Sequence, residues 1–279
     1  MDRFYIITNG SRDPGLKVTH TVEGFLEKNG MYFSSHVTDR QVNGRYTDER
    51  MIPADTDCVI VIGGDGTLIQ AAYDTADLNI PIVGINMGKL GFLTDIEKEN
   101  ILPSLESILA GRYNIEDRMM LCGVVVSADG KIKKESRSLN DIVIHRGGGL
   151  RVIDYEVYVN DRFLSSFRAD GVIICTPTGS TGYSLSAGGP IIEPKSQMMV
   201  ITPICPHTLN TRSIVISADD VVKVVTTDAD TEVAFDGHLN VPLEYKDYVT
   251  IRRSSRVTRI VRINDDSFLT VLHNKFSEQ

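Results

Sequence analysis

Two textures divide the chain. Up to about residue 112, short unbroken apolar runs alternate with stretches of helical periodicity. Arg3 to Thr8 (RFYIIT) predicts a strand, and Leu16 to Asn29 predicts a helix stopped by Gly30. Residues 31 to 54 are polar, with a short strand near Tyr32 to Val37. Val59 to Ile62 is a buried strand running into the glycine turn GGDGT at 63–67. After it, LIQAAYDTA predicts a helix with Leu68, Ala71, Ala72 and Thr75 on its apolar face. Ile80 to Ile85 is another buried strand and opens into NMGKLGFLTD, a second glycine-rich loop in which Asn86 and Lys89 could reach a phosphate. Asn100 to Leu109 is helical and ends near Gly111. Strands that are continuous apolar runs and alternate with helices belong to a parallel sheet covered on both faces.

From Asp117 the period changes to two. MLCGVVVS, KIKKES, EVYVN, RFLSSF, VVKVVTTD, TEVAFDG, YVTIRR and RVTRIVRI are joined by turn dipeptides such as Asp129-Gly130, Asn160-Asp161 and Asp236-Gly237. This half predicts an antiparallel β-sandwich, with the boundary near Glu116 to Met119. Ser267 to Phe276 reads as a helix with Phe268, Val271, Leu272 and Lys275 on one side. A lone helix after a β domain does best by returning to the first domain. The expected fold is therefore a Rossmann-like α/β domain at 1–117, with a tail at about 264–279, and a β-sandwich at 118–263.

Composition changes this picture little. A length of 279 residues favours two domains, and 42% hydrophobic with 24% charged residues is ordinary for a globular protein. The net charge of −8 (29 basic, 37 acidic) argues against a nucleic-acid or anionic-membrane surface. The N-terminus carries charge at once and does not read as a signal peptide, and no apolar run approaches the ~20 residues of a membrane span. Cys58, Cys122, Cys175 and Cys205 form no C-x-x-C pair and read as reduced, buried residues of a cytoplasmic protein. The six histidines have no metal-ligand spacing.

Three stretches carry chemistry. The strand–turn–helix around GGDGT aims backbone N–H groups and the positive end of a helix at whatever lies over the turn, which suits phosphate. Gly63, Gly64 and Gly66 permit close approach, and Thr67 sits at the helix start. Asp65 is an odd choice for an anion site unless it holds a cation or takes a proton from an attacking hydroxyl. The bland alternative is an ordinary Asp-Gly turn with Thr67 as N-cap. No Walker lysine follows, and the dinucleotide fingerprint is absent. The second stretch, DGVIICTPTGSTGYSLSAGGP at 170–190, gathers glycines, hydroxyls and Tyr183 after a buried strand. That is more than a spacer needs, though a surface loop rich in turn formers reads similarly. The third is Leu139-Asn140-Asp141 at the mouth of a strand, where Asn can read an adenine edge and Asp can hold ribose hydroxyls.

Taken in order, GGDGT at 63–67, GINMGKLGFLTD at 84–95, LND at 139–141, ADGVIICTPTGSTGYSLSAGGP at 169–190, ICPHTL at 204–209, RSIVI at 212–216 and DGH at 236–238 resemble the NAD kinase family over nearly the whole chain. GGDGT alone is shared with lipid kinases and is similar to the phosphofructokinase turn. The resemblance implies ATP-dependent phosphorylation of the 2′-hydroxyl of the adenine ribose of NAD, giving NADP, with Mg²⁺ accompanying ATP and no protein metal cage. It implies that Asp65 is the catalytic aspartate. It further implies that Gly66, Asn140, Asp141, Arg151, Arg168, Asp170, Thr181, Gly182, Tyr183, Ser184, Leu185, Ser186 and His238 line the NAD site. Gly63, Gly64, Gly66 and Thr67 are left to the ATP phosphates. A homodimer or homotetramer is implied in the same way, with Arg168 and Asp170 able to act across a subunit boundary. Asp141 stands where many members carry Glu, and Gly182 where they usually carry Ala. A lipid kinase would have no use for Asn140-Asp141 or the 176–186 loop. A non-catalytic NAD(H) sensor would not need Asp65, and a sugar kinase of the phosphofructokinase type is disfavoured by the β-rich second half.

Overall fold

A computed structural model of the chain describes residues 1–38, 47–88, 91–148, 152–207, 212–228, 230–263 and 268–277. Lys89 and Arg151 lie outside the described residues. The chain forms two compact units, Met1–Arg118 with Val257–Gln279, and Met119–Arg256.

In the first unit the apolar runs become the parallel strands β1 (Arg3–Asn9), β2 (Tyr32–Thr38), β3 (Cys58–Gly63) and β4 (Ile82–Asn86), in the order β2-β1-β3-β4. Phe4 sits opposite both Phe33 and Cys58, and Val59 opposite Ile82. Helices α1 (Lys17–Lys28), α2 (Asp65–Asp74) and α3 (Ile101–Leu109) carry the crossovers. Every residue of β3 and β4 is buried, as the continuous apolar runs require. Val22, Leu26, Ile60, Ile62, Ile85, Leu105 and Ile108 share one core. The start of α1 is fixed by Asp13, whose carboxylate accepts the N–H groups of Val18 (3.1 Å) and Thr19 (2.9 Å) and the Thr19 hydroxyl (2.8 Å).

The second unit is a sandwich. Chain order brings β5 (Asn114–Val126), β6 (Ile132–Ser138), β7 (Asp141–Arg146), β8 (Ile153–Val159), β9 (Arg162–Ala169) and β10 (Gly171–Cys175). The one-turn helix α4 (Tyr183–Ser186) follows, and then β11 (Met198–Ile204), β12 (Ile214–Ser217), β13 (Val222–Thr226), β14 (Thr231–Phe235), β15 (Leu239–Leu243) and the long β16 (Tyr248–Arg262). One antiparallel sheet runs β12-β11-β10-β7-β14-β15. Facing it, β9-β8-β13 continue into the first residues of β16, while β5 pairs with β6. Period-2 alternation places Ile142, Ile144, Val172, Ile174, Ile201 and Phe235 inward, against Tyr155, Val157, Val222, Val224, Val249 and Ile251. The other face of the six-stranded sheet, with Val143, Ile173, Cys175, Val200 and Ala234, is covered by Ala187 and Ile192 of the loop after β10.

The return to the first unit begins earlier than the terminal helix. Val257 onward in β16 belongs to the first unit, and Ile260 lies parallel beside Ile82 of β4. The alternation of RVTRIVRI is the same whichever sheet it joins, so the pattern alone does not mark the crossing. The terminal helix α5 (Phe268–Ser277) brings Phe268 (ring centroids 6.2 Å apart) and Lys275 (4.8 Å to the ring centroid) onto Phe92.

Candidate active site

One candidate cluster, in the first unit, is built at the carboxyl end of β3. The chain leaves the strand through Gly64, whose backbone is extended (φ −128°, ψ −173°), and α2 starts at Asp65. The helix thus begins three residues before Leu68, where the apolar periodicity starts. Leu68, Ala71, Ala72 and Thr75 are buried, as their spacing predicts. Thr67 is not the N-cap: Gly64 takes that place, and no side chain caps the helix. The Thr67 side chain is buried, tucks against Gly63 and accepts a bond from Asn9 Nδ2 at 3.2 Å. Gly64 and Gly66 face open space. Of the four glycine-turn positions, these two are therefore the ones a phosphate can approach.

Asp65 does not point freely over the turn. Its Oδ2 accepts the Phe92 N–H at 2.7 Å. Its Oδ1 accepts the N–H groups of Leu93 (3.3 Å) and Thr94 (3.1 Å) and the Thr94 hydroxyl (3.2 Å). The second glycine-rich loop is thus folded around the catalytic candidate. A Cβ on Gly91 would overlap the Asp65 carboxylate, so this close approach requires glycine. A carboxylate offers about four lone-pair sites, two on each oxygen. Oδ1 is saturated by three donors, and Oδ2, with one, keeps capacity for a hydroxyl or a cation. Asn86, expected beside a phosphate, is buried, and its side-chain oxygen accepts the Gly88 N–H at 3.0 Å within its own loop.

A second candidate cluster, in the second unit, lies at the mouth of β7. Asp236, in the tight turn after β14, accepts the N–H groups of Leu139 (2.7 Å), Asn140 (2.8 Å) and Asp141 (3.0 Å), and its own N–H donates to the Asp141 carbonyl at 3.0 Å. From the other side the loop after β10 closes on the same residues. The Asn140 carbonyl accepts the Thr176 N–H (2.8 Å), and Thr176 Oγ1 donates to the Leu139 carbonyl (2.6 Å). Gly179 lies so close to the Asn140 backbone that any side chain there would clash. Asn140 and the 176–186 loop are therefore brought together, and Asn140 Oδ1 is buried without a hydrogen-bond partner. An orphaned buried acceptor costs free energy unless something supplies a donor.

Electrostatics single out the acid pair beside it. Burial, and then the neighbouring Asp236, push the Asp141 carboxyl up to about 7. Burial raises Asp236 to about 6 against the opposing pull of its three N–H donors.

The 176–186 segment is more ordered than a glycine- and hydroxyl-rich loop suggests. It forms a 3₁₀ turn at Thr178–Thr181 and then α4. Ser180 bonds the Pro177 carbonyl (2.6 Å), Thr181 the Thr178 carbonyl (3.1 Å), and Ser184 the Thr202 hydroxyl (3.1 Å). These hydroxyls hold the loop's shape. Tyr183 and Leu185 are exposed, as is Ser186. Tyr183 joins His145, Arg146, Asp170 and Ile204 around a pocket of about 330 Å³. Asp170 pairs there with Arg146 (3.1 Å), which sequence reasoning did not select. Arg168 stands elsewhere, exposed on the edge strand β9 at 4.0 Å from Asp154. His238 is partly buried just past Asp236, and burial lowers its pKa.

Comparison with known proteins matches residues 12–113 to the ATP-NAD kinase N-terminal domain and residues 139–263 to the ATP-NAD kinase C-terminal domain. The chain belongs to the NAD kinase family. An NAD kinase of Lachnoclostridium phytofermentans is 42% identical over 287 residues, covering 100% of both chains. One from Caldanaerobacter subterraneus is 40% identical over 286 residues, again covering 100% of both. Among solved structures, the yeast NADH kinase complexed with NADH superposes with a TM-score of 0.81 at 20% identity, covering 99% of this chain and 88% of that one. An NAD kinase from Archaeoglobus fulgidus in complex with ATP gives 0.77 at 24% identity, covering 99% and 98%. At those identities the two structures speak for the fold alone.

Within an NAD kinase fold, sequence reasoning missed the residues that hold the predicted ones. Phe92 and Leu93 act through backbone N–H groups, which their side chains do not report, and Thr94 adds its hydroxyl to its N–H. Asp236 was passed over for His238, although an Asp-Gly dipeptide at a strand end is itself a signal.

Two expectations follow. Asp141 and Asp236 bind protons more tightly in the folded chain than at the ordinary carboxyl value of 3.8. The stability this pair contributes is therefore fullest at low pH and is lost as pH rises from about 4 to about 7. Asp141→Asn removes one of these titrations. Relative to the parent it should gain stability across that window, by at most about 4 kcal/mol. Urea midpoints at both ends of the window measure this, and parallel pH dependences would refute it. The departure at Gly182 is sterically mild. A methyl there would meet the Gly179 carbonyl at 3.3 Å and Asn140 Nδ2 at 3.5 Å. Gly182→Ala should fold, shift stability by less than about 1 kcal/mol and leave the KM for NAD within a factor of about three. Loss of NAD saturation in a folded variant would show that the small residue is needed.

Proposed function

We propose that this chain transfers the γ-phosphate of ATP to the 2′-hydroxyl of the adenine ribose of NAD, forming NADP. The observation that carries this reading is full-length similarity, at 42% and 40% identity, to proteins named NAD kinase. Phosphoryl transfer needs positioning and charge stabilisation more than covalent help, and the residues support that division of labour. Gly64 and Gly66 leave the start of α2 open to the ATP phosphates, with Gly63 and Thr67 shaping the turn beneath. Asp65 keeps one open position on Oδ2, in reach of a single hydroxyl. There it orients the 2′-hydroxyl and takes its proton as the phosphate arrives.

NAD recognition falls to the second half. Asn140 presents an amide whose oxygen lacks a partner, suited to the exocyclic amine of adenine. Asp141 accepts from ribose hydroxyls, and Tyr183 supplies a flat face. Gly66, Thr181, Gly182, Ser184, Leu185, Ser186 and His238 complete the lining, and Arg151, Arg168 and Asp170 contribute charge, in part across the boundary of a homodimer or homotetramer. Mg²⁺ accompanies ATP. Among the described residues no three His, Cys, Asp or Glu side chains gather to hold a metal, and Mg²⁺ needs only one or two carboxylates besides phosphate and water. The one open position on Asp65 Oδ2 goes to the hydroxyl in this reading, so the ion would be held by the ATP phosphates and water and would neutralise charge on the transferring phosphate. No helix among the described residues is long and apolar enough to cross a membrane. A cytoplasmic enzyme of NADP biosynthesis is the cellular reading.

The test is NADP formation from NAD and Mg-ATP, followed with an NADP-specific dehydrogenase. Asp65→Asn should lose turnover by about 10²–10⁴-fold while still binding NAD. An unchanged rate would remove Asp65 from its role, and NAD binding without NADP formation from any donor would favour a sensor. Asn140→Ala should raise the KM for NAD by roughly 5- to 100-fold with little effect on ATP. Equal losses for both substrates would argue against adenine recognition there.

A further inference from the structure

The loop that holds Asp65 is itself held from behind. Arg262, the last residue of β16, places Nη2 at 3.0 Å from the Phe92 carbonyl and Nη1 at 3.4 Å from the Leu93 carbonyl. These carbonyls belong to the same two peptide units whose N–H groups, those of Leu93 and Thr94, donate to Asp65 Oδ1. Two successive peptides are thus clamped between a guanidinium on their oxygen side and a carboxylate on their nitrogen side. Hydrogen bonds in such a chain polarise one another in the same sense, so each end strengthens the other. The planar fork of Arg suits two neighbouring carbonyls, where the point charge of Lys does not.

The guanidinium is fixed in turn. Only 16% of the Arg262 side chain is exposed. Nη1 also pairs with Asp95 Oδ1 (3.2 Å) and Nε with Glu116 Oε2 (3.4 Å). The Ile263 N–H donates to Asp95 Oδ2 at 2.8 Å, locking the end of β16 to the loop. Glu116 is shared with the nearly buried Arg118 at 2.6 Å. The group facing Asp65 is therefore a rigid, charge-balanced cluster and not a mobile surface cation.

We propose that Arg262 is a positioning residue for phosphoryl transfer. Through the 92–94 peptides it sets the orientation of the Asp65 carboxylate and keeps Oδ2 as the oxygen with room for the reacting hydroxyl. It touches neither the reacting atoms nor, in this proposal, either substrate. The inference rests on Asp65 being the group that meets the 2′-hydroxyl.

Steady-state kinetics on the full-length enzyme test it, with Arg262→Gln, Arg262→Lys and Asp65→Asn compared and active sites counted by NAD binding. Arg262→Gln should lower kcat per NAD-binding site by about 10- to 100-fold while the KM for NAD and for ATP each stay within about threefold. Arg262→Lys keeps the charge without the fork and should recover only part of that loss, with a thermal midpoint close to the parent's. Should the Gln variant fail to fold, the Lys variant carries the test alone through the same split between kcat and KM. Parental kcat per binding site in a folded Arg262 variant, with only the thermal midpoint lowered, would overturn the proposal and leave Arg262 a structural residue. If Asp65→Asn stays fully active, the reading of Asp65 fails first. If Asp65→Asn is dead while both Arg262 variants turn over normally, the present inference fails alone.

Discussion

The backbone of residues 92 to 94 bonding to the Asp65 carboxylate is the interaction on which the candidate cluster of the first unit depends. An acid at the first position of a helix interacts well with the positive end of the helix dipole, but that alone leaves its direction loose. Three consecutive peptide N–H groups fix the direction. They come from the segment that follows β4, the neighbour of β3 in the parallel sheet. Two glycine-rich stretches, far apart in sequence, thus converge because adjacent parallel strands deliver their carboxyl ends to the same side. The loop pins the acid, and the acid satisfies N–H groups that would otherwise lack acceptors.

The same device recurs in the second unit with a different purpose. There the anchoring acid is Asp236, which ties down Leu139, Asn140 and Asp141 by their N–H groups and leaves their side chains out of that contact. Thr176 and Gly179 press in from the opposite side. Asn140 is therefore placed by contacts to its backbone, while its amide oxygen stays without a partner. Asp141 is left next to a second carboxylate, which with burial explains its raised pKa.

The sequence made the scaffold legible because hydrophobic period is a local property. Continuous runs at 59–62 and 80–85 announced buried parallel strands, and alternation after residue 117 announced the sandwich. Asp65, Asn140 and Asp141 stand out as polar groups at the mouths of apolar runs, but an ordinary turn explains each of them equally well until the motifs are taken together. Support was harder to see. Phe92 and Leu93 contribute backbone atoms, so their side chains say nothing about the contact. Arg262 sits in RVTRIVRI, where an arginine at every third position looks like a solvated side chain of a strand. Only the crossing of β16 from one unit into the other turns it inward. The Thr67 and Ser184 hydroxyls have partners inside the fold that local sequence does not show: Thr67 Oγ1 accepts from Asn9 Nδ2, and Ser184 Oγ bonds the Thr202 hydroxyl.

This resolves the oddity of an acid in an anion-binding turn. In a chain of net charge −8, a carboxylate beside ATP phosphates would be repelled if it stood alone. It does not stand alone: four donors converge on it, the N-terminus of α2 begins at it, and the Arg262 guanidinium lies one peptide behind. Its charge is stabilised by oriented dipoles that are already in place before any substrate arrives. Oδ2, with a single donor, keeps one acceptor position. An acid held by donors on one oxygen and with room on the other is what the proposed role asks of Asp65, which must stand beside a triphosphate and take a proton from a hydroxyl.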